Sequence, residues 1–210
     1  MTDVEGIAVY ELLILSFLMR GKMHGYLMAK IINDIIGPYA KFSHGRMYPL
    51  LSKLEADGLI VAAEDVAEHG HGDRRQRAFA ITEAGRKRFH QLMMDTTSNP
   101  GGYREIFWMK FTSFEMLRPD ERLLLMDQYL NYCQTHIFHL MNQMEELERE
   151  NSEQHFMTDQ RLDVTLHVIR HAINQWRVES KDVTELRERE IARMQPDTQR
   201  GTTTTEEHPQ

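Results

Sequence analysis

The 210-residue chain has one cysteine, Cys133, so no intrachain disulfide can staple it. That suits a reducing compartment, and a cytoplasmic location is expected. Long apolar runs are also missing. A helix that crosses a bilayer needs about 18–20 consecutive apolar residues. The longest stretch here, Ile7–Met19, is interrupted by Tyr10, Glu11 and Ser16, so no membrane partner is expected. The chain begins Met1-Thr2-Asp3-Val4-Glu5, acidic where a secretory signal is basic, so export is not expected. It contains no glycine-rich phosphate loop, nucleophile elbow or metalloprotease motif, so neither an enzyme nor a cofactor is implied.

The chain also lacks an excess of positive charge. Its net charge is −7, which taken alone argues against a polyanionic partner. The distribution says otherwise. Residues 1–96 carry 12 basic and 12 acidic side chains, and residues 97–210 carry 13 and 20, the whole of the excess. Within the first part, residues 20–53 hold six bases against one acid, and residues 73–88 hold six against two. Two basic stretches ahead of an acidic region suggest one surface that faces a polyanion and another that faces protein.

Hydrophobic residues make up 41% and charged residues 27%, enough apolar surface for a globular core. Residues 4–20 are apolar on most of a helical surface and predict a buried helix. A second helix, 24–36, turns Leu27, Ile31, Ile32, Ile35 and Ile36 inward and stops at Gly37-Pro38. A third runs from Ser43 or His44 to Ala56, with Ser43 as N-cap and Met47, Leu50, Leu51 and Leu54 on its buried face. Pro49 fits that helix if it lies within about the first turn, where amide groups lack intrahelical partners. The period then changes to that of two strands, 59–63 and 77–81, joined by a glycine- and histidine-containing loop that ends Asp73-Arg74-Arg75. Thr82 caps the helix that follows. Three helices and a two-stranded ribbon with a basic tip make an N-terminal winged helix-turn-helix, assigned to residues 1–96.

A turn-rich boundary at 96–102 leads into a mainly helical region, 97–194. There Leu123, Met126, Leu130, Cys133, Ile137, Leu140, Met144 and Leu147 fill eight successive a and d positions. A second helix carries Leu162, Leu166, Ile169, Ile173 and Trp176 at similar spacing. The pattern is coiled-coil-like and predicts a homodimer. Cys133 sits in that seam and reads as a buried hydrophobe, not a nucleophile. Residues 195–210 hold no core former and are expected to be disordered.

Three segments match one family in order and spacing: His24-Gly25-Tyr26; Gly45-x-x-Tyr48-Pro49-x-Leu51-x-x-Leu54-Glu55-x-x-Gly58-Leu59-Ile60; and Ile81-Thr82-Glu83-x-Gly85-Arg86. Together they resemble the PadR-family signature over about residues 7–95. The helical region, with Phe107-x-x-Lys110-Phe111, resembles the longer PadR subfamily. Phe79 stands where that family often has tyrosine, so any role of that hydroxyl lapses here. The resemblance implies a homodimeric transcriptional regulator that holds double-stranded operator DNA and releases it when a small molecule docks. Some relatives sense phenolic acids and others bind hydrophobic drugs.

A helix in the major groove needs short or planar polar side chains at its N-terminal end. The third helix offers Ser43, His44, Gly45, Arg46 and Tyr48, with Tyr26 and Lys53 nearby in the motif. Arg46 can pair bidentately with guanine, whereas Arg74, Arg75 and Arg77 on the wing suit phosphates or the minor groove. A solvated helix end and a soluble hairpin tip are the competing readings. For an effector, Tyr103, Phe107, Trp108 and Phe111 share or flank one helix face, and Trp176 lies on the last apolar face; a core or dimer seam competes there. His167 and His171, and His136 and His139, stand at metal-pair spacing, but no acidic or cysteine partner accompanies them, so no metal site is assigned. A metal-responsive regulator and a coiled-coil protein adaptor are the alternatives.

Overall fold

The computed structural model describes residues 3–36, 42–63 and 77–194. The chain divides into two compact units, Met1–Leu117 and Arg118–Gln210.

The first unit contains α1 (Asp3–Arg20), β1 (Met23–His24), α2 (Gly25–Ile36), α3 (His44–Ala56), β2 (Ile60–Ala63), β3 (Ala78–Ile81), α4 (Glu83–Met94) and α5 (Tyr103–Phe111). Every residue of α1 from Leu12 to Leu18 is buried. The helix can be apolar nearly all round because α2, α3, β3 and α4 pack about it. The one polar member of that run, Ser16, shares a 2.5 Å hydrogen bond with the buried Ser113 hydroxyl. Met28 and Ile32 from α2, Met47, Leu51 and Leu54 from α3, and Phe89 and Met93 from α4 complete the core.

Strands β2 and β3 pair antiparallel, Ile60 opposite Ile81 and Ala63 opposite Ala78. Three helices followed by this ribbon form a winged helix, as the periodicity predicts. The sheet has one strand more than expected. In β1, Met23 and His24 pair with Phe79 and Ala78, giving the order β1-β3-β2. Two residues are too few to leave an alternating pattern in a sequence. The tip residues Arg74 and Arg75, the stop at Gly37-Pro38 and the tail 195–210 lie outside the described residues.

Two glycines hold α3 and the β2–β3 ribbon together. Gly58, at φ 71°, ends α3 in the left-handed region, while its N–H and that of Leu59 return to the carbonyls of Glu55 and Leu54. The Thr82 hydroxyl accepts from Gly85 N at 3.0 Å, and it donates to the Gly58 carbonyl at 2.7 Å. A Cβ on Gly85 would lie 2.1 Å from the Leu59 carbonyl oxygen, so only glycine lets α4 start against β2.

The first unit runs on past the turn at 96–102, where the domain boundary is expected. Residues 95–117 are bound to it by polar contacts that hydrophobic periodicity does not reveal. Arg20 of α1 donates to Thr112 O at 2.7 Å and pairs with Glu115 at 2.5 Å, and within the segment the buried Lys110 amine donates to the Asp95 carbonyl.

The second unit holds two 36-residue helices, α6 (Pro119–Gln154) and α7 (Asp159–Met194). They pack as an antiparallel hairpin: Arg122 pairs with Glu190 at 2.6 Å, Arg187 with Asp127, and the Tyr129 hydroxyl donates to Glu179 at 2.7 Å. Asn151 and His155 shape the turn. The His155 N–H returns to Asn151 O, and Asn151 Oδ1 accepts from Met157 N. In the heptad, Met126, Cys133 and Ile137 are buried and the other five residues half-buried. Their seam faces α7 of the same chain, with Leu166, Ile173 and Val183 on the opposite side. Phe138, Val164, Val168 and Val178 remain 57–64% exposed.

Candidate nucleic-acid interface

Helix α3 divides into two faces. Met47, Leu50, Leu51 and Leu54 are at most 9% exposed, while Ser43, Gly45, Arg46, Tyr48 and Lys53 are exposed. His44 is the first residue of the helix. Ser43 stands at the N-cap with extended backbone, but its side chain makes no cap hydrogen bond. The hydroxyl expected to cap the helix therefore does not serve that end. Pro49 lies in the second helical turn, beyond the first turn where it is expected to be tolerated. It has no N–H to give the Gly45 carbonyl, so the exposed face carries a gap in the helical ladder.

Gly45 differs from Gly85. A Cβ at Gly45 would meet only Ser43 Oγ, at 3.6 Å, which is ordinary contact. The fold does not require glycine there, and a bare backbone beside Arg46 leaves room for close approach by another molecule.

Tyr26 is 43% exposed and Tyr48 51%, and the two border Gly25, where the α2 start meets α3. The Tyr26 and His24 rings lie 5.7 Å apart. The α2–α3 connection is held by Asn33, whose amide donates to the Ala29 and Phe42 carbonyls and accepts from Phe42 N, all within 2.9 Å. Asn33 thereby fixes the entry to α3. Sequence reasoning passes over it, because a lone amide on an apolar helix reads as a solvent-facing residue. Arg77 is tied to the same helix: it pairs with Glu55 at 2.8 Å and lies over the Phe79 ring at 5.5 Å. Of the three wing arginines it alone falls in the described residues, and it braces β3 against α3.

These elements, α1 to α4, coincide with the segment that known proteins share. Residues 14–91 match the transcriptional regulator PadR-like family. That stretch of the chain is similar to a PadR-like domain. The negative transcriptional regulator PadR of Bacillus subtilis (strain 168) is 22% identical over 140 residues, covering 66% of this chain and 75% of that protein. Among solved structures, B. subtilis PadR in complex with operator DNA is 18% identical, covers 86% of this chain and 98% of its own, and has a TM-score of 0.37. B. subtilis PadR in complex with p-coumaric acid is also 18% identical, covers 88% and 97%, and has a TM-score of 0.36. PadR-like proteins are transcriptional regulators and not an enzyme family.

The aromatic residues singled out for an effector divide between the units. In the first, Phe107 is completely buried and touches Tyr103, Trp108, Phe111 and Phe114 at ring distances of 5.4–6.5 Å. Tyr103 is buried, and Trp108 and Phe111 are half-buried. In the second, Trp176 stacks on His136 at 4.4 Å and meets Tyr132 edge-on. Burial and the neighbouring His139 hold the His136 imidazole below its ordinary pKa. His167 and His171 are exposed, and His171 meets Gln175 at 3.1 Å. Among the described residues no group of three or more histidine, cysteine or acidic side chains gathers as a metal site.

Proposed function

We propose that this PadR-like chain is a homodimeric transcriptional repressor. It binds double-stranded operator DNA through α3 and the wing, and a small aromatic or hydrophobic effector, such as a phenolic acid, releases it. The observation that carries the reading is the division of α3: one face buried to 9% or less, the other polar, with Arg46 beside a glycine the fold does not need. Arg46 reads a guanine edge, while Ser43, His44, Tyr48, Tyr26 and Lys53 contact the backbone or adjacent bases. Arg74 and Arg75 clamp phosphates. Arg77, already paired with Glu55, sets the wing's position.

The dimer rests on the apolar side chains left exposed on α6 and α7. A two-fold dimer reads two half-sites about one or two helical turns apart. The effector acts by binding the DNA-incompetent dimer more tightly than the competent one.

Selection of bound duplexes from a random library, with the mass of the complex measured by sedimentation, tests the reading. Enrichment of a two-fold-related site that carries two chains supports it. Absence of any enriched sequence, or binding indifferent to salt, contradicts it and favours a protein adaptor.

A further inference from the structure

Helix α3 begins without the usual local supports. Ser43 stands at the N-cap with no side-chain cap bond, and the first turn carries no acidic side chain to offset the helix dipole. Pro49 weakens the same end further, since it has no N–H for the Gly45 carbonyl. The inward stripe of Met47, Leu50, Leu51 and Leu54 sets which face of α3 is buried. Apolar packing is non-directional, so it places the first turn less sharply than hydrogen bonds do.

The directional bonds come from α2. The Asn33 amide nitrogen donates to the Phe42 carbonyl at 2.9 Å and to the Ala29 carbonyl at 2.8 Å, and its oxygen accepts from Phe42 N at 2.8 Å. Both amide protons and the oxygen are thus used. The partners fix the orientation of the group: turned over, the oxygen would face two carbonyls and the nitrogen an N–H. Phe42 immediately precedes Ser43. Its ring is 2% exposed and lies 4.3 Å from the Tyr10 ring of α1. The residue ahead of the first turn is therefore held twice, by its main chain to α2 and by its ring to α1.

Ser43, Gly45 and Arg46 follow within four residues of Phe42. A base edge is read by hydrogen bonds, whose donors and acceptors must meet within a narrow range of distance and angle. A phosphate contact tolerates more displacement, because charge attraction falls off slowly with distance. A shift of the α3 start should thus cost sequence preference before it costs general affinity. We propose that Asn33 is a positioning residue for DNA reading, acting through Phe42 and not by contact with DNA. The assignment rests on the reading of α3 as the DNA-reading element.

The competing use of Asn33 is stability alone, since buried hydrogen bonds of this kind contribute to folding wherever they lie. Ser113→Ala supplies the comparison, because it removes the bond to Ser16, which does not involve α3. Asn33→Leu keeps roughly the side-chain shape and none of the three bonds. Asn33→Asp keeps only the acceptor and sets a carboxylate against two carbonyls. Affinity of each full-length variant is measured for a duplex selected from a random library by the unaltered protein, and for its scrambled counterpart. Urea denaturation defines conditions in which every variant is folded.

Both Asn33 variants should bind the selected duplex about tenfold or more weakly, as misplaced base-edge contacts imply. Their affinity for the scrambled duplex should stay within about threefold, since phosphate contacts persist. Ser113→Ala should keep the unaltered protein's preference. Amide exchange at Phe42, Arg46 and Met47 should quicken by about tenfold or more in the Asn33 variants and not in Ser113→Ala. Preference retained in both Asn33 variants would overturn the proposal, as would an equal loss in Ser113→Ala. If neither Asn33 variant folds, Asn33→Ser, which keeps a hydroxyl able to make one bond, replaces them in the duplex series. A Phe42 amide that exchanges in the unaltered protein as fast as an unbonded one would overturn the proposal on its own. Failure of the unaltered protein to enrich any duplex overturns the DNA reading instead, whatever the exchange at Phe42.

Discussion

Residues 3–117 surround a helix buried on nearly every side, whereas residues 118–194 fold into two long helices that share one apolar stripe. In the first unit, seven consecutive residues of α1 are buried, and even its serine is satisfied internally. In the second, the inward stripe of α6 meets α7, and Phe138, Val164, Val168 and Val178 stay exposed. A fold that closes its own core can present polar residues on a rigid helix. A hairpin that leaves apolar side chains in water has a surface for another chain. On the proposed function, DNA reading belongs to the first unit and self-association to the second.

The comparison breaks first at the glycines. Gly85→Ala places a methyl 2.1 Å from a main-chain oxygen in the first unit. It should cost about 3 kcal/mol or more of folding stability, the upper end for overpacking because backbone must move. Gly45→Ala, in open space, should leave stability within about 0.5 kcal/mol and weaken DNA binding. Urea denaturation and duplex binding measured on both variants check the pair. Equal destabilisation would remove the distinction between a glycine kept for folding and one kept for contact.

Lys110 supplies the next contrast. Its folded pKa of about 8 lies below the ordinary 10.5, so between those values the unfolded chain holds more protons and stability rises with pH. The rise should reach roughly 2–3 kcal/mol at most. Tyr103, raised by burial, opposes it only above about pH 10. Denaturation midpoints between about pH 8 and 9.5 should climb for the unaltered protein and stay flat for Lys110→Met. A flat profile in both would mean that the lysine is not buried as described.

In the second unit, Phe138→Glu combined with Val168→Glu should dissociate the dimer by about 2 kcal/mol or more while helical content persists. Sedimentation and circular dichroism read the two quantities. An unaffected dimer would move self-association away from this face. The smallest effect belongs to the wing. Arg77→Ala breaks an exposed ion pair to Glu55 and should change stability by under about 1 kcal/mol, as such pairs do.

Long apolar periodicity made much of this fold legible. The buried α1, the two-faced α3 and the Thr82 cap follow from spacing alone, as do both long helices of the second unit. Contacts between side chains far apart in sequence were not legible. The eight-position heptad looks like a dimer seam, yet most of it packs on α7 of the same chain, because periodicity records burial and not the partner. A dimer surface is therefore expected on the apolar residues left exposed. Strand β1 is two residues long and exists only through its pairing with β3. Ser43 occupies the cap position without making the cap bond. Lys110 stood in view among Phe107, Phe111 and Phe114, yet a charged residue on an aromatic face gives no sign from spacing that it is buried. Asp95, fifteen residues earlier, gave no signal either, since its carbonyl meets the Lys110 amine only through the turn of its loop.

The most direct test of α3 as the reading element is the affinity of Arg46→Ala and the unaltered protein for a selected and a scrambled duplex across a salt series. For the unaltered protein, log affinity should fall linearly with log salt, by about 0.9 per phosphate neutralised. Arg46→Ala should cost about 1–3 kcal/mol on the selected duplex and relax preference at one base pair per half-site, with little change on the scrambled one. Arg74→Ala and Arg75→Ala, by contrast, should weaken both duplexes alike and lower the slope by about one unit each. Undiminished preference in Arg46→Ala, with preference lost in Arg75→Ala, would contradict the account and make the wing the reader.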